Sequence, residues 1–151
     1  MEQANNRVPQ IMVVDDDPDT VSILARHLQR EGFGAIEAIS GAECLRMALE
    51  HPVDVILLDL MMPDMDGFAV CRALKDNPQT AEIPIIMITA RDDLDARAEG
   101  MRLGVSDFLA KPVFRRQLAN RIRAQLDSLA AGRVTEEALD QLEHHRNGGK
   151  K

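Results

Sequence analysis

The chain has 151 residues, 45% of them hydrophobic, and a formal net charge of −7. That length suits one domain with a tail, able to bury a core without a disulfide or metal staple. The polar stretch Met1–Gln10 lacks a signal-peptide apolar region, and no stretch approaches the ~18 apolar residues of a membrane span.

The acidic balance argues against nucleic acid as a partner. Residues 1–111 hold 10 Lys+Arg against 20 Asp+Glu, and residues 112–151 hold 8 against 5; the mixed basic excess reads as a solvated surface. Cys44 and Cys71 read as small buried apolar residues rather than as a framework for an oxidising compartment. The expected location is therefore cytoplasmic. With four Phe and no Trp or Tyr, the core must come from Val, Ile, Leu, Met and Ala.

Residues 1–9 are expected to be disordered, 10–130 to form the domain, and 131–151 to be a tail. Gln10–Asp15 reads as a strand buried on both faces. Pro18 opens a helix, where its missing N–H costs nothing; Val21, Leu24, Ala25 and Leu28 form its stripe and Gly32 stops it. Ala35–Ile39 reads as the second strand. Ser40 caps a second helix with stripe Leu45, Ala48 and Leu49, ended by Pro52.

Val53–Asp59 is the third strand. A third helix starts near Gly67, with Phe68, Cys71 and Leu74 on one face, and Asn77-Pro78 breaks it. Ile83–Thr89 is the fourth strand, Leu94–Leu103 the fourth helix ended by Gly104, and Val105–Lys111 the fifth strand. The fifth helix runs from Arg115 to Leu129 on Leu118, Ile122, Gln125/Leu126 and Leu129. After Ala130-Ala131-Gly132 a short helix over Thr135–His145 is allowed, then disorder over Asn147–Lys151. Five such strand–helix units imply right-handed crossovers and a doubly wound parallel α/β sheet.

Four strands end in residues of chemical use: Asp15-Asp16, Asp59, Thr89 and Lys111. In an open parallel sheet these ends share the carboxyl edge, where ligands bind. Three carboxylates, a hydroxyl and an ammonium suit Mg²⁺ with a phosphoryl group. Asp59, alone at the end of the central strand, is the candidate nucleophile for an acyl phosphate. Thr89 could donate a hydrogen bond to the phosphoryl group, and Lys111 could pair with it.

The strings V-V-D-D-D at 13–17, L-D-L-M-M-P-D-M-D-G at 58–67, I-T-A at 88–90 and G-V-S-D-F-L-A-K-P at 104–112 make the chain resemble the receiver domain of bacterial two-component response regulators. The resemblance covers about Ile11–Leu129. It implies a flavodoxin-like, chemotaxis-regulator-like fold of five helices and a sheet of order 2-1-3-4-5. Asp59 would then be the phosphoacceptor. Asp15 and Asp16 would be the acidic pair, Asp16 the direct ligand to Mg²⁺, and the Met61 backbone carbonyl a further ligand. Thr89 and Phe108 would be the switch pair, and Lys111 the phosphate-pairing lysine before a cis Pro112.

The implied donor is a sensor histidine kinase or phosphotransfer protein. The implied readout is a downstream protein or an attached output domain. The face of helix four, strand five and helix five, with Arg97, Arg102, Arg115 and Arg116, would serve partner docking or a homodimer. Met61 and Arg91 occupy the family's positions that tune phosphoryl lifetime. Such a regulator catalyses only its own phosphorylation and dephosphorylation. A stand-alone regulator is the expected form, with a receiver piece of a longer regulator as the alternative.

Blander readings stand beside these. Asp64 and Asp66 read as a turn, with Gly67 supplying conformational freedom. Met61, Met62 and Met65 suit either a partner surface or packing against the third helix. Asp92, Asp93 and Asp95 suit a helix N-terminus. His144-His145 are adjacent and do not face each other on a helix. Asp15-x-Asp17-x-Asp19 lacks the glycine and closing Glu of a calcium loop. A haloacid-dehalogenase-type phosphatase is the enzyme alternative, with Asp17-Pro18-Asp19-Thr20-Val21 as its nucleophile motif.

Overall fold

The structure is a computed structural model that describes residues 7–90 and 93–149, with side chains as far as Gly132. The expectations for residues 1–6, Arg91, Asp92, the His144-His145 pair, Lys150 and Lys151 lie outside the described residues.

The elements alternate as β1 (Gln10–Val14), α1 (Pro18–Arg30), β2 (Gly34–Ala38), α2 (Gly41–Glu50), β3 (Val55–Leu58), α3 (Gly67–Asp76), β4 (Ile85–Thr89), α4 (Leu94–Arg102), β5 (Asp107–Ala110) and α5 (Arg115–Gly149). All strand pairs are parallel, in the order β2-β1-β3-β4-β5. The central strands have no solvent face. Ile11, Val13, Val55, Leu57, Ile86, Ile88 and Leu109 pack toward α1 and α5. Their alternates Met12, Val14, Ile56, Leu58, Ile85, Met87 and Phe108 pack toward α2, α3 and α4. Period-two side-chain alternation thus feeds two cores from one sheet. A buried Leu or Ile contributes roughly 1.5–3 kcal/mol.

β2 is shifted by one residue at unchanged length, and the other four strands are shorter than expected, for local reasons. Pro84 has no N–H for the ladder, so β4 starts at Ile85. The Val105 N–H donates to Gly100 and that of Gly104 to Met101, both spent on stopping α4. The Asp54 carboxylate accepts the Gln10 N–H and an Arg7 N–H, each at 2.7 Å, a clasp that precedes β3. Gly32 and Gly104 take φ of +90° and +93° directly after the C-caps of α1 and α4, the left-handed position glycine fills without strain. The Lys111–Pro112 peptide is cis.

Two helix faces and one helix length differ from expectation. In α2 the buried residues are Gly41, Cys44 and Ala48, while Leu49 is 52% exposed; Leu49 lies about 100° round the helix from Ala48. In α3 Val70 joins Cys71 and Leu74 in the core, and Phe68 is half-buried. Neither a break at Gly132 nor a separate helix over Thr135–His145 occurs. One helix runs from Arg115 to Gly149, past Asn147, where disorder was expected. An interior glycine costs a helix only about 1 kcal/mol relative to alanine. Here no proline removes an N–H, and Ala130 and Ala131 favour the helix.

Asp66, read as a turn residue, is the N-cap of α3, its carboxylate accepting the Ala69 N–H at 2.9 Å. Asp66→Ala should therefore lower the unfolding free energy by about 1 kcal/mol. In urea this appears as a lower midpoint at unchanged m value.

Candidate functional site

The sheet delivers the site residues by its own ladder. Just past β1 the Asp15 N–H donates to Ala38; just past β3 the Asp59 N–H donates to Val14; just past β5 the Lys111 N–H donates to Thr89. Each backbone is held by the neighbouring strand while its side chain faces the carboxyl edge. Asp15, Asp59 and Thr89 are buried, and Asp16 is exposed.

The side chains converge. One ligand oxygen each from Asp15, Asp16 and Asp59 lies within 4.8 Å of the others. The Lys111 ammonium donates to Asp15 Oδ2 at 3.0 Å and reaches Asp59 Oδ2 at 3.5 Å. The other carboxylate oxygens are oriented by the chain. Asp15 Oδ1 accepts the Asp17 N–H at 3.0 Å, and Asp59 Oδ1 accepts the Met61 N–H at 3.2 Å. Three carboxylates against one ammonium leave a deficit of positive charge. An all-oxygen donor set of this kind fits a hard divalent cation such as Mg²⁺.

Burial holds the Asp59 carboxyl above its ordinary range. The Met61 N–H opposes the rise, the Asp15 charge adds to it, and Lys111 opposes it. Burial also pushes the Lys111 ammonium down, but its hydrogen bond to Asp15 and the charges of Asp59 and Asp15 outweigh this and keep it high.

Other sequence candidates are placed elsewhere. Asp17 caps α1, accepting from the Asp19 N–H and the Thr20 hydroxyl, so Asp15-x-Asp17-x-Asp19 does not converge on one ion. The same capping role occupies Asp17 of the proposed phosphatase motif. Asp93 caps α4 through the Ala96 N–H at 2.7 Å. The methionines divide: Met62 is buried, Met65 packs against the core and Met61 is 58% exposed. Cys44 and Cys71 are buried, and burial pushes the Cys44 thiol up to about 12.

Phe108 is buried in the core on the α4 side. Its ring lies over Gly100, where a Cβ would come within 2.5 Å of Cε2, and the Arg97 guanidinium sits 5.5 Å from the ring centroid. Met87 pairs with Phe108 and Thr89 with Ala110, so Thr89 and Phe108 are diagonal neighbours on one face. Sequence reasoning missed Gly100, whose only signal is that it falls on the buried face of α4. It also misread Gly67, whose φ is not in the left-handed region.

A doubly wound sheet of this order with an acidic centre and a lysine at its carboxyl edge defines a phosphoacceptor receiver. The family model of the response regulator receiver domain matches residues 11–123. The chain belongs to that family and is a receiver domain of the two-component response regulators. It is 45% identical over 115 residues to the response regulator PleD of Caulobacter vibrioides, a match covering 76% of this chain and 25% of that protein. It is 40% identical over 120 residues to the transcriptional regulatory protein PrrA of Mycobacterium tuberculosis, covering 78% and 50%.

Among solved structures, the chemotaxis protein CheY4 of Vibrio cholerae superposes with a TM-score of 0.75 at 28% identity, covering 78% of this chain and 98% of that one. A CheY-like receiver domain protein from Methanospirillum hungatei gives 0.77 at 26% identity, covering 83% and 99%. The chain spans a quarter to half the length of these curated relatives. Among the described residues no helix is long and apolar enough to cross a membrane.

The raised Asp59 carboxyl has a consequence for stability. A carboxyl whose pKa is higher folded than unfolded binds its proton more tightly in the native state. Its contribution is complete below the unfolded value, 3.8, and is lost as pH rises through the folded one. In EDTA, Asp59→Asn should melt above wild type at neutral pH, and the gap should close on acidification toward 3.8. Thermal melts across pH check this; a gap that widens on acidification contradicts it.

Proposed function

We propose that Asp59 accepts a phosphoryl group from the phosphohistidine of a sensor histidine kinase or phosphotransfer protein, in a Mg²⁺-dependent reaction in the cytoplasm. The observation that carries this reading is the Lys111 ammonium held between Asp15 and Asp59 beside Asp16, at the edge where the sheet ends. Residues 10–130 form the phosphoaccepting unit, with 131–151 as its C-terminal tail. The chain catalyses only its own phosphorylation and dephosphorylation.

An Asp59 carboxylate oxygen attacks the phosphorus. The N–P bond of the donor breaks, its electrons go to the imidazole nitrogen, and an acyl phosphate forms on Asp59. Asp15, Asp16, Asp59 and the Met61 carbonyl would hold Mg²⁺. The chemistry that the bound ion supplies is positive charge against the carboxylates and the phosphoryl oxygens. Lys111 pairs with the phosphoryl group, and the Thr89 hydroxyl donates to it. Transfer of this kind needs mainly positioning and charge stabilisation.

Readout is a population shift rather than a new fold. Thr89, drawn toward the phosphoryl group, vacates space beside β5, and Phe108 holds the inward position. Phe has no hydroxyl with which to anchor that position. Packing on Gly100 and the Arg97 cation over the ring take its place. The α4–β5–α5 face then docks a downstream protein or a second copy. The curated relatives extend beyond the matched segment, so the controlled activity resides in a separate partner or in an attached module. The length of the reading frame decides between them.

Acetyl phosphate with Mg²⁺ should add one phosphoryl group to wild type, read as intact mass. EDTA should reduce this at least tenfold, and Asp59→Asn should remain unmodified. Equal labelling of wild type and Asp59→Asn would overturn the assignment. Beryllofluoride, an acyl-phosphate mimic, should shift amide resonances at Thr89, Phe108 and along α4 in wild type. Thr89→Ala should bind it with shifts at Phe108 at least halved, since a ligand moves an equilibrium only by its differential affinity for the two states.

A further inference from the structure

Gly67 is buried at the first position of α3. Its backbone is not in the left-handed region, so conformational freedom does not account for a glycine here. A Cβ at this position would lie 2.7 Å from the Asp59 carbonyl oxygen and 2.7 Å from the Leu60 Cα, with the Asp59 carbonyl carbon at 3.3 Å. All three atoms are backbone, so no change of rotamer relieves the contact. The Gly67 N–H donates to the Leu60 carbonyl at 2.8 Å, which draws the start of α3 onto the same stretch of chain.

The loop between Asp59 and Gly67 is therefore closed at its base by backbone against backbone. At the other end of this short path, Asp59 is held by its N–H on Val14 and by Met61 on Oδ1. Its Oδ2 stands 3.5 Å from the Lys111 ammonium, the outer limit of a hydrogen bond. A small displacement of the Asp59–Leu60 backbone is enough to break or remake that contact. Gly34 gives the contrast: a Cβ there meets the Gln10 side-chain amide at 2.3 Å, a flexible group at the opposite edge of the sheet.

We propose that Gly67 is a positioning residue for phosphoryl acceptance: lacking a side chain, it lets α3 seat directly on the Asp59–Leu60 backbone and so sets the Asp59 carboxylate against Lys111 and Asp15. The proposal rests on the reading of Asp59 as phosphoacceptor. An added methyl displaces the peptide it touches, and misplacement of a reacting group by about 1 Å can cost on the order of 10²-fold in rate.

The test compares wild type, Gly67→Ala, Gly34→Ala and Asp59→Asn as full chains. Three quantities are read: amide shifts without metal, Mg²⁺ affinity by titration, and the rate of phosphorylation by acetyl phosphate. The expected result for Gly67→Ala is a native far-UV spectrum and amide shifts concentrated at residues 58–67. Its Mg²⁺ affinity should be reduced several-fold, and its phosphorylation slowed by about 10- to 100-fold. Gly34→Ala should match wild type in affinity and rate.

Gly67→Ala that binds Mg²⁺ and reacts like wild type would overturn the positioning role while leaving Asp59 as acceptor. Labelling of Asp59→Asn, or no labelling of wild type, removes the reading of Asp59 and this proposal with it. If Gly67→Ala melts below the working temperature, the measurements are made in trimethylamine N-oxide, which strengthens folding by exclusion from the protein surface. A chain that stays unfolded there also overturns the proposal, which holds that the displacement is local.

Discussion

The mutual repulsion of three carboxylates, served by one ammonium, is the constraint on which the rest of this structure depends. Asp15 and Asp59 are buried, where charge is costly. Their backbones are tied to neighbouring strands by the N–H bonds to Ala38 and Val14. The cluster therefore cannot relax by spreading without breaking the sheet's own ladder. Lys111 partly offsets the repulsion by sitting between Asp15 and Asp59. The remaining deficit is one that a hard divalent cation would offset.

That cost is carried by the apolar bulk beneath it. Ile56, Leu57 and Leu58 immediately precede Asp59, and all three are buried. The strand that ends at Asp59 is also the middle of both cores. The same holds for Met12, Val13 and Val14 before Asp15. Stability and chemistry are thus adjacent along the chain: in β1 and β3 three buried residues fix the position of the carboxylate that follows.

The parts of the site that were legible in the sequence are those whose residue types carry chemistry. Asp15, Asp16, Asp59, Thr89 and Lys111 stand where apolar runs stop, and in a parallel sheet such stops share an edge. Strand ends were harder, because the residues that trimmed them act through backbone groups. Pro84 lacks a donor, and Val105 spends its donor on closing α4. Helix α5 was cut too early because Gly132 was weighed as a stop without the alanines around it. Leu49 fell on the wrong side because helical spacing admits two neighbouring stripes, and only the position of the sheet chooses between them. Gly67 and Gly100 were opaque for a different reason. A glycine in a sequence can mean a backbone torsion or a close approach, and the letter is the same.

The two cores are separate bodies of side chains on opposite faces of one sheet. On one side α1 and α5 are clasped by Glu31, which pairs with both Arg115 and Arg123. On the other lie α2, α3 and α4 with Phe108. The strands between them act as a wall, so a substitution in one core is felt first on its own side of the sheet. A change in either core therefore reaches the acidic centre only through the sheet or through the start of α3, which seats against the Asp59–Leu60 backbone.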